Sequence, residues 1–243
     1  MQISVFSTKE QIGRAAAALI ASQLLLKPES VLGLATGSSP IPTYQELQHL
    51  YRDGILDFSR AHSFNLDEYV GLDGTHPCSY RYFMNEQLFD HINLPLSETH
   101  VPDGNAADLV AAAREYDAAI DRAGGIDLQI LGIGRNGHIG FNEPADVFTT
   151  ECHVVDLTES TIEANTRFFA SRDDVPRKAI SLGVGQIMKA RTVLLIATGS
   201  DKAEAIAASV MGPITPRVPA SILQSHHNVI FLLDQAAAQK LPA

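Results

Sequence analysis

Residues 131–144 read LGIGRNGHIGFNEP and bring an amide, an imidazole and a carboxylate, Asn136, His138 and Glu143, onto one short stretch. Histidine titrates near neutral pH and can take or return a proton. A neighbouring carboxylate can orient its ring and hold its charged form. A lone histidine here could equally be structural, satisfied by backbone; three such groups at one strand end argue for chemistry instead. Gly132, Gly134 and Gly137 also spell G-x-G-x-x-G. A dinucleotide fingerprint, however, needs a helix opening at the third glycine and an acid about 20 residues further on. The continuation HIGFNEPADVF sets Gly140 and Pro144 against a long helix, and the stretch lies past the middle of the chain. The glycines are therefore read as the means of turning a loop.

Three further segments carry candidate chemistry. In ATGSSPIPTYQEL, Gly37 lets the backbone turn, Ser38 and Ser39 add hydroxyl donors, and the following helix offers unpaired N–H groups. Such a loop cradles a phosphate or carboxylate, or is merely a capped strand-to-helix turn. TGSDKAEAI repeats the geometry and puts Lys202 in a first helical turn, where the helix dipole disfavours a cation unless an anion joins it. A solvated lysine beside Asp201 is the plainer reading. NLDEYVGL ends a strand with Asp67 and Glu68. Adjacent strand side chains point to opposite faces, so at most one enters a crevice. A carboxylate there could be a general base or a cap acid.

The elements that must hold these groups alternate along the chain. Nearly continuous apolar runs predict strands at 3–6, 30–36, 61–67, 127–134, 153–157, 192–198 and 228–234. Helical patterns lie between them. One opens on a capping box at Ser7–Glu10, one covers roughly 43–52, and one covers roughly 106–122 with Leu109, Val110, Ala113, Tyr116 and Ile120 inward. This order predicts an α/β fold: an open, mostly parallel, Rossmann-like sheet with helices on both faces. TGSS, NLDEY, the 131–144 stretch and TGSDK all fall at carboxyl ends of strands, where such sheets bind ligands. No linker or composition shift divides the chain, so residues 1–243 read as one domain.

The net charge of −10 opposes a nucleic-acid partner, although a few local cations and N–H groups suffice for one phosphate. Cys78 and Cys152 lie far apart in unrelated contexts and read as free thiols of a reducing compartment. The start MQISVFSTKEQ has no signal-peptide pattern, and AAAALIASQLLL is too short to span a bilayer, which predicts a cytoplasmic protein. H-E-x-x-H, C-x-x-C and G-x-S-x-G are absent. His226 and His227 are sequence neighbours not expected to share a face, so no metal is called for.

LATGSSP, FNLDEYVGL, LGIGRNGHIGFNEP, EANTRFF, TGSDKA and TPRVPASILQ, in this order, resemble the glucosamine-6-phosphate deaminase family over nearly the whole chain. The resemblance implies a sheet related to ribose-phosphate isomerase and the phosphogluconolactonases. It implies conversion of glucosamine 6-phosphate and water to fructose 6-phosphate and ammonia, with no metal or organic cofactor. His138 would open the sugar ring, assisted by Asn136 and Glu143, and Asp67 would carry the proton from C2 to C1. Gly37, Ser38, Ser39, Lys202 and Arg167 would hold the 6-phosphate. Many members have aspartate where this chain has Asn136, and longer members carry a C-terminal tail beyond the point matching Ala243. Allosteric activation by N-acetylglucosamine 6-phosphate, and whether the chain is a monomer or a homo-oligomer, are left open. The alternatives on the same residues are a 6-phosphogluconolactonase, in which Phe-Asn-Glu-Pro after the Gly-His pair is not expected, and a sugar-phosphate-sensing domain.

Overall fold

The computed structural model describes residues 1–166, 169 and 171–242. Its elements follow in the order β1 (Gln2–Phe6), α1 (Lys9–Leu26), β2 (Val31–Leu34), α2 (Ile41–Arg52), β3 (His62–Asn65), β4 (Asp67–Tyr69), α3 (Tyr80–Gln87) and β5 (Thr99–His100). Then come α4 (Leu109–Arg122), β6 (Leu128–Leu131), β7 (His153–Asp156), α5 (Glu159–Asn165), β8 (Lys178–Ser181), α6 (Val184–Lys189), β9 (Thr192–Ala197), α7 (Ala203–Met211), β10 (Val229–Asp234) and α8 (Gln235–Ala238).

Seven strands pair in the order β1-β10-β9-β6-β2-β3-β5, and all these pairings are parallel. Every residue of β2 and β6 is buried, as the continuous apolar runs require of strands covered on both faces. From β2 the chain steps outward to β3 and β5, whereas from β6 it steps the other way to β9 and β10. The order therefore reverses between β2 and β6. In an open parallel sheet the ligand crevice forms at that reversal, beyond the carboxyl ends of the strands.

Three expectations need correction. The run at 153–157 is a strand, but β7 pairs antiparallel with β8 in a small separate sheet of order β4-β8-β7. Its residues are mostly half-buried, in keeping with a sheet covered less completely than the main one. The single strand expected at 61–67 is two: β3 ends at Asn65, and β4 begins at Asp67 in the small sheet. Leu66 is the crossing point, its N–H donating to Leu34 of the main sheet and its carbonyl accepting from Leu182 beyond β8. Lastly, Val110 is 55% exposed; α4 buries Ala113, Tyr116 and Ile120. Its start is Leu109, set by Asp108, which accepts from the N–H groups of Val110 and Ala111.

The first capping box forms one residue later than expected. Thr8 Oγ1 accepts from Gln11 N–H, and Gln11 Oε1 accepts from Ser7 N–H. Beneath the small sheet, Tyr69, Phe141, Leu157, Ile162, Val175 and Ala179 form an apolar cluster separate from the main core. No helix among the described residues is long and apolar enough to cross a membrane.

Candidate active site at the strand-order reversal

The loop after β6 has glycine where side chains must pass. A Cβ on Gly134 would lie 2.3–2.5 Å from three ring atoms of His138, so the imidazole packs directly over that glycine. Gly134 N–H donates to the His138 carbonyl at 2.9 Å, closing the turn beneath the ring. His138 Nδ1 then lies 3.2 Å from Glu143 Oε1. Asn136 links both partners: its Nδ2 donates to Glu143 Oε2 at 2.6 Å, and its Oδ1 accepts from His138 N–H at 3.2 Å. Burial works against the Glu143 charge, but His138, Thr161 and Asn136 outweigh it and hold the carboxyl at about 2. The carboxylate is thus ionised throughout the neutral range, fitted to orient an imidazole and stabilise its cation.

Further along the loop, Gly140 has φ +57°, and a Cβ there would sit 3.1 Å from Ser181 Oγ and 3.6 Å from Asp67 Oδ2. The Asp67 carboxyl therefore lies under the same loop that carries His138. Asp67 is 7% exposed, and desolvation, reinforced by the charge of Glu68, pushes its pKa up to about 8. Glu68 has a different occupation. Its carboxylate accepts from the backbone N–H groups of Tyr69, Tyr80 and Arg81 at 2.8–2.9 Å and so caps α3. Burial raises its pKa, against the opposing effect of those three bonds. One acid anchors a helix and the other is left at the crevice floor.

Neighbouring strands fasten the loop. Phe141 N–H donates to Ser181 Oγ, and the Asn142 amide donates to the carbonyls of Ile139 and Leu182. On the other side, the Gly137 carbonyl accepts from Ala220 N–H and Ala145 N–H donates to the Pro216 carbonyl, which seats the TPRVPASILQ segment against it. Asp146 and Arg217 pair across the same seam.

The two flanking loops follow β2 and β9, the strands on either side of β6. After β2, Gly37 takes φ +91°, Ser38 is exposed, Ser39 is half-buried, and α2 begins with no side-chain cap. The Tyr44 hydroxyl pins this turn, donating to the Ala35 carbonyl at 2.6 Å and accepting from its N–H. After β9, Lys202 is the residue immediately before α7, with Nζ 3.9 Å from Asp201 Oδ2. Arg135 of the His138 loop donates to the same Asp201 oxygen at 2.8 Å. Such a set of glycine turn, hydroxyls, open helix N-terminus and lysine suits a phosphate. Arg167 lies outside the described residues.

Residues that the sequence patterns did not single out are Thr161, Ser181 and Asn142. Thr161 Oγ1 donates to Glu143 Oε1 at 2.6 Å. Thr161 and Ser181 act on partners far along the chain, so no local spacing marks them; Asn142 stood inside a quoted motif, but its bond to Leu182 is equally distant. His226 and His227 depart from expectation, since their rings stack at 4.5 Å. His226 nonetheless uses both nitrogens on backbone, at Ala190 O and Asn228 N–H, and among the described residues no His, Cys, Asp and Glu grouping fits a metal.

Fold and site together define an α/β protein with an imidazole–carboxylate pair, a buried carboxyl and anion-type loops at the reversal of a parallel sheet. The Glucosamine-6-phosphate isomerases/6-phosphogluconolactonase family matches residues 7–232. A glucosamine-6-phosphate deaminase of Clostridioides difficile (strain 630) is 53% identical over 99% of this chain and 97% of its own length. A solved monomeric glucosamine-6-phosphate deaminase superposes with a TM-score of 0.96 at 43% identity, covering 99% of this chain and 100% of that one. The 6-phosphogluconolactonase of Leishmania guyanensis shares the fold, with a TM-score of 0.79 at 20% identity over 100% and 99% of the two chains. The chain belongs to the glucosamine-6-phosphate isomerase/6-phosphogluconolactonase family.

Proposed function

We propose that this protein is a glucosamine-6-phosphate deaminase, converting glucosamine 6-phosphate and water to fructose 6-phosphate and ammonia, with residues 1–243 acting as one catalytic domain. The observation that carries the reading is the meeting of two proton-transfer groups at one loop: His138 on the loop, 3.2 Å from Glu143, and the buried Asp67 of β4 beneath its Gly140. The full-length likeness to glucosamine-6-phosphate deaminases supports it.

In this reading the loops at Gly37–Ser39 and Lys202, with Arg167, take the 6-phosphate. That supplies binding energy remote from the reacting carbons, which can position them. His138 takes the proton of the anomeric hydroxyl and gives one to the ring oxygen as the C1–O5 bond breaks. Glu143 stabilises the imidazolium between these transfers, and Asn136 keeps both groups aligned. Asp67 removes the proton from C2 of the open chain and delivers it to C1, while O1 gains a proton and the C2 nitrogen gives one up, leaving an imine at C2 and a hydroxyl on C1. Water adds to that carbon and ammonia departs. A carboxyl whose pKa is raised towards neutrality is matched to this two-way transfer, because it can both accept and return a proton near pH 7. No step calls for a metal or organic cofactor. Cys78 and Cys152 are not joined in a disulfide, which supports a cytoplasmic location.

The test is to incubate the protein with glucosamine 6-phosphate and measure ammonia and fructose 6-phosphate together, with 6-phosphogluconolactone in a parallel reaction. Equimolar ammonia and ketose are expected. Lactone hydrolysis without ammonia release would overturn the assignment in favour of the lactonase alternative.

A further inference from the structure

Glu143 Oε1 has two neighbours: His138 Nδ1 at 3.2 Å and Thr161 Oγ1 at 2.6 Å. Thr161 belongs to the first turn of α5, whose N-cap is Thr158. Thr158 Oγ1 donates to Thr161 Oγ1 at 3.0 Å and accepts from Thr161 N–H at 3.3 Å. Each hydroxyl has one proton, so the donations run one way, from Thr158 to Thr161 to the carboxylate. Thr161 is 7% exposed, which places its hydroxyl out of competition with solvent. Asn136 holds the other carboxylate oxygen. A carboxylate fixed at both oxygens cannot rotate, and the imidazole it faces is fixed with it.

We propose that Thr161 is a positioning residue for the ring-opening step, using its hydroxyl to lock the Glu143 carboxylate and, through it, the His138 ring. The proposal rests on the reading of His138 and Glu143 as catalytic. It also ties α5, an element of the small-sheet layer through the buried Ile162, to a group on the main sheet's central loop. The hydroxyl matters here, not the volume: serine retains the donor, while valine keeps the shape and loses it. Removing one donor from a buried carboxylate disfavours its ionised form, so the titration of Glu143 moves upward.

The test compares Thr161→Val and Thr161→Ser with the unaltered enzyme, each alone and with Glu143→Gln. Thr161→Val is expected to lower kcat about tenfold with KM nearly unchanged, since the phosphate grip is untouched. Thr161→Ser should restore kcat, because serine keeps the donor. In the Glu143→Gln background, Thr161→Val should cost little more, because both changes break one link. Unchanged kcat in Thr161→Val, equal losses in Val and Ser, or additive losses with Glu143→Gln would each overturn the proposal. Should Thr161→Val fail to fold, Thr161→Ala against Thr161→Ser makes the same comparison. Full activity of Glu143→Gln alone would instead bring down the catalytic reading on which the proposal stands.

Discussion

The Asn136 amide donates to Glu143 Oε2 at 2.6 Å, a bond that an ionised aspartate at position 136 could not make. This chain departs from the many family members with aspartate here, and the contact gives the amide a purpose: it satisfies the carboxylate without adding charge. Asn136→Asp would set two carboxylates against each other beside His138. Added negative charge favours the protonated forms of its neighbours. The variant is expected to keep substantial deaminase activity while its pH profile shifts towards higher pH. A profile identical to that of the unaltered enzyme would count against this role.

Gly134→Ala should displace His138, because the new Cβ would overlap the ring at 2.3–2.5 Å. A shift of about 1 Å in a catalytic group costs on the order of a hundredfold in rate. Gly132→Ala, two residues earlier, meets no protein atom within 4 Å and has no positive φ, so its melting temperature should match that of the unaltered protein. Steady-state kinetics with thermal melts separates the two; a fully active Gly134→Ala enzyme would show that the ring does not need this seat.

Much of this arrangement was legible from local spacing, and the reason is the length of the contacts. Asn136, His138 and Glu143 meet across a single loop, so the motif itself carries their convergence. The same holds for β2, β6 and β9 of the main sheet, whose runs are mostly apolar because both faces are covered, whereas β5, only Thr99 and His100, had no such run to mark it. β8 escaped notice because KAIS is a four-residue strand opened by an exposed lysine. β7 was assigned to the wrong sheet because a short apolar run does not say which partner it will find. Residue type and spacing alone did not separate Asp67 from Glu68; the family resemblance chose Asp67, and the structure gives the physical reason, since the N-terminus of α3 takes Glu68.

The raised pKa of Asp67 has a kinetic consequence. A base works when deprotonated, so kcat/KM should rise with pH through an apparent pKa of about 8, the limb belonging to the free enzyme. Asp67→Glu should move that limb, and a limb unmoved by the substitution would assign it to another group.

The same group also costs stability. Its folded pKa, about 8, lies above the ordinary value of 3.8. The folded state therefore holds a proton that the unfolded chain has lost, and stability falls as pH rises through that window. An amide cannot ionise, so Asp67→Asn removes this dependence. Its melting temperature relative to the unaltered protein should be higher at pH 8 than at pH 5. An equal difference at both values would mean that Asp67 does not titrate in this range.

Asp67→Asn in the deaminase assay is the most direct measurement. Ammonia release from glucosamine 6-phosphate should fall by about three orders of magnitude, while the dissociation constant for the phosphosugar stays within a few-fold of that of the unaltered enzyme. Undiminished ammonia release by the variant would contradict the assignment of the C2-to-C1 proton transfer to Asp67.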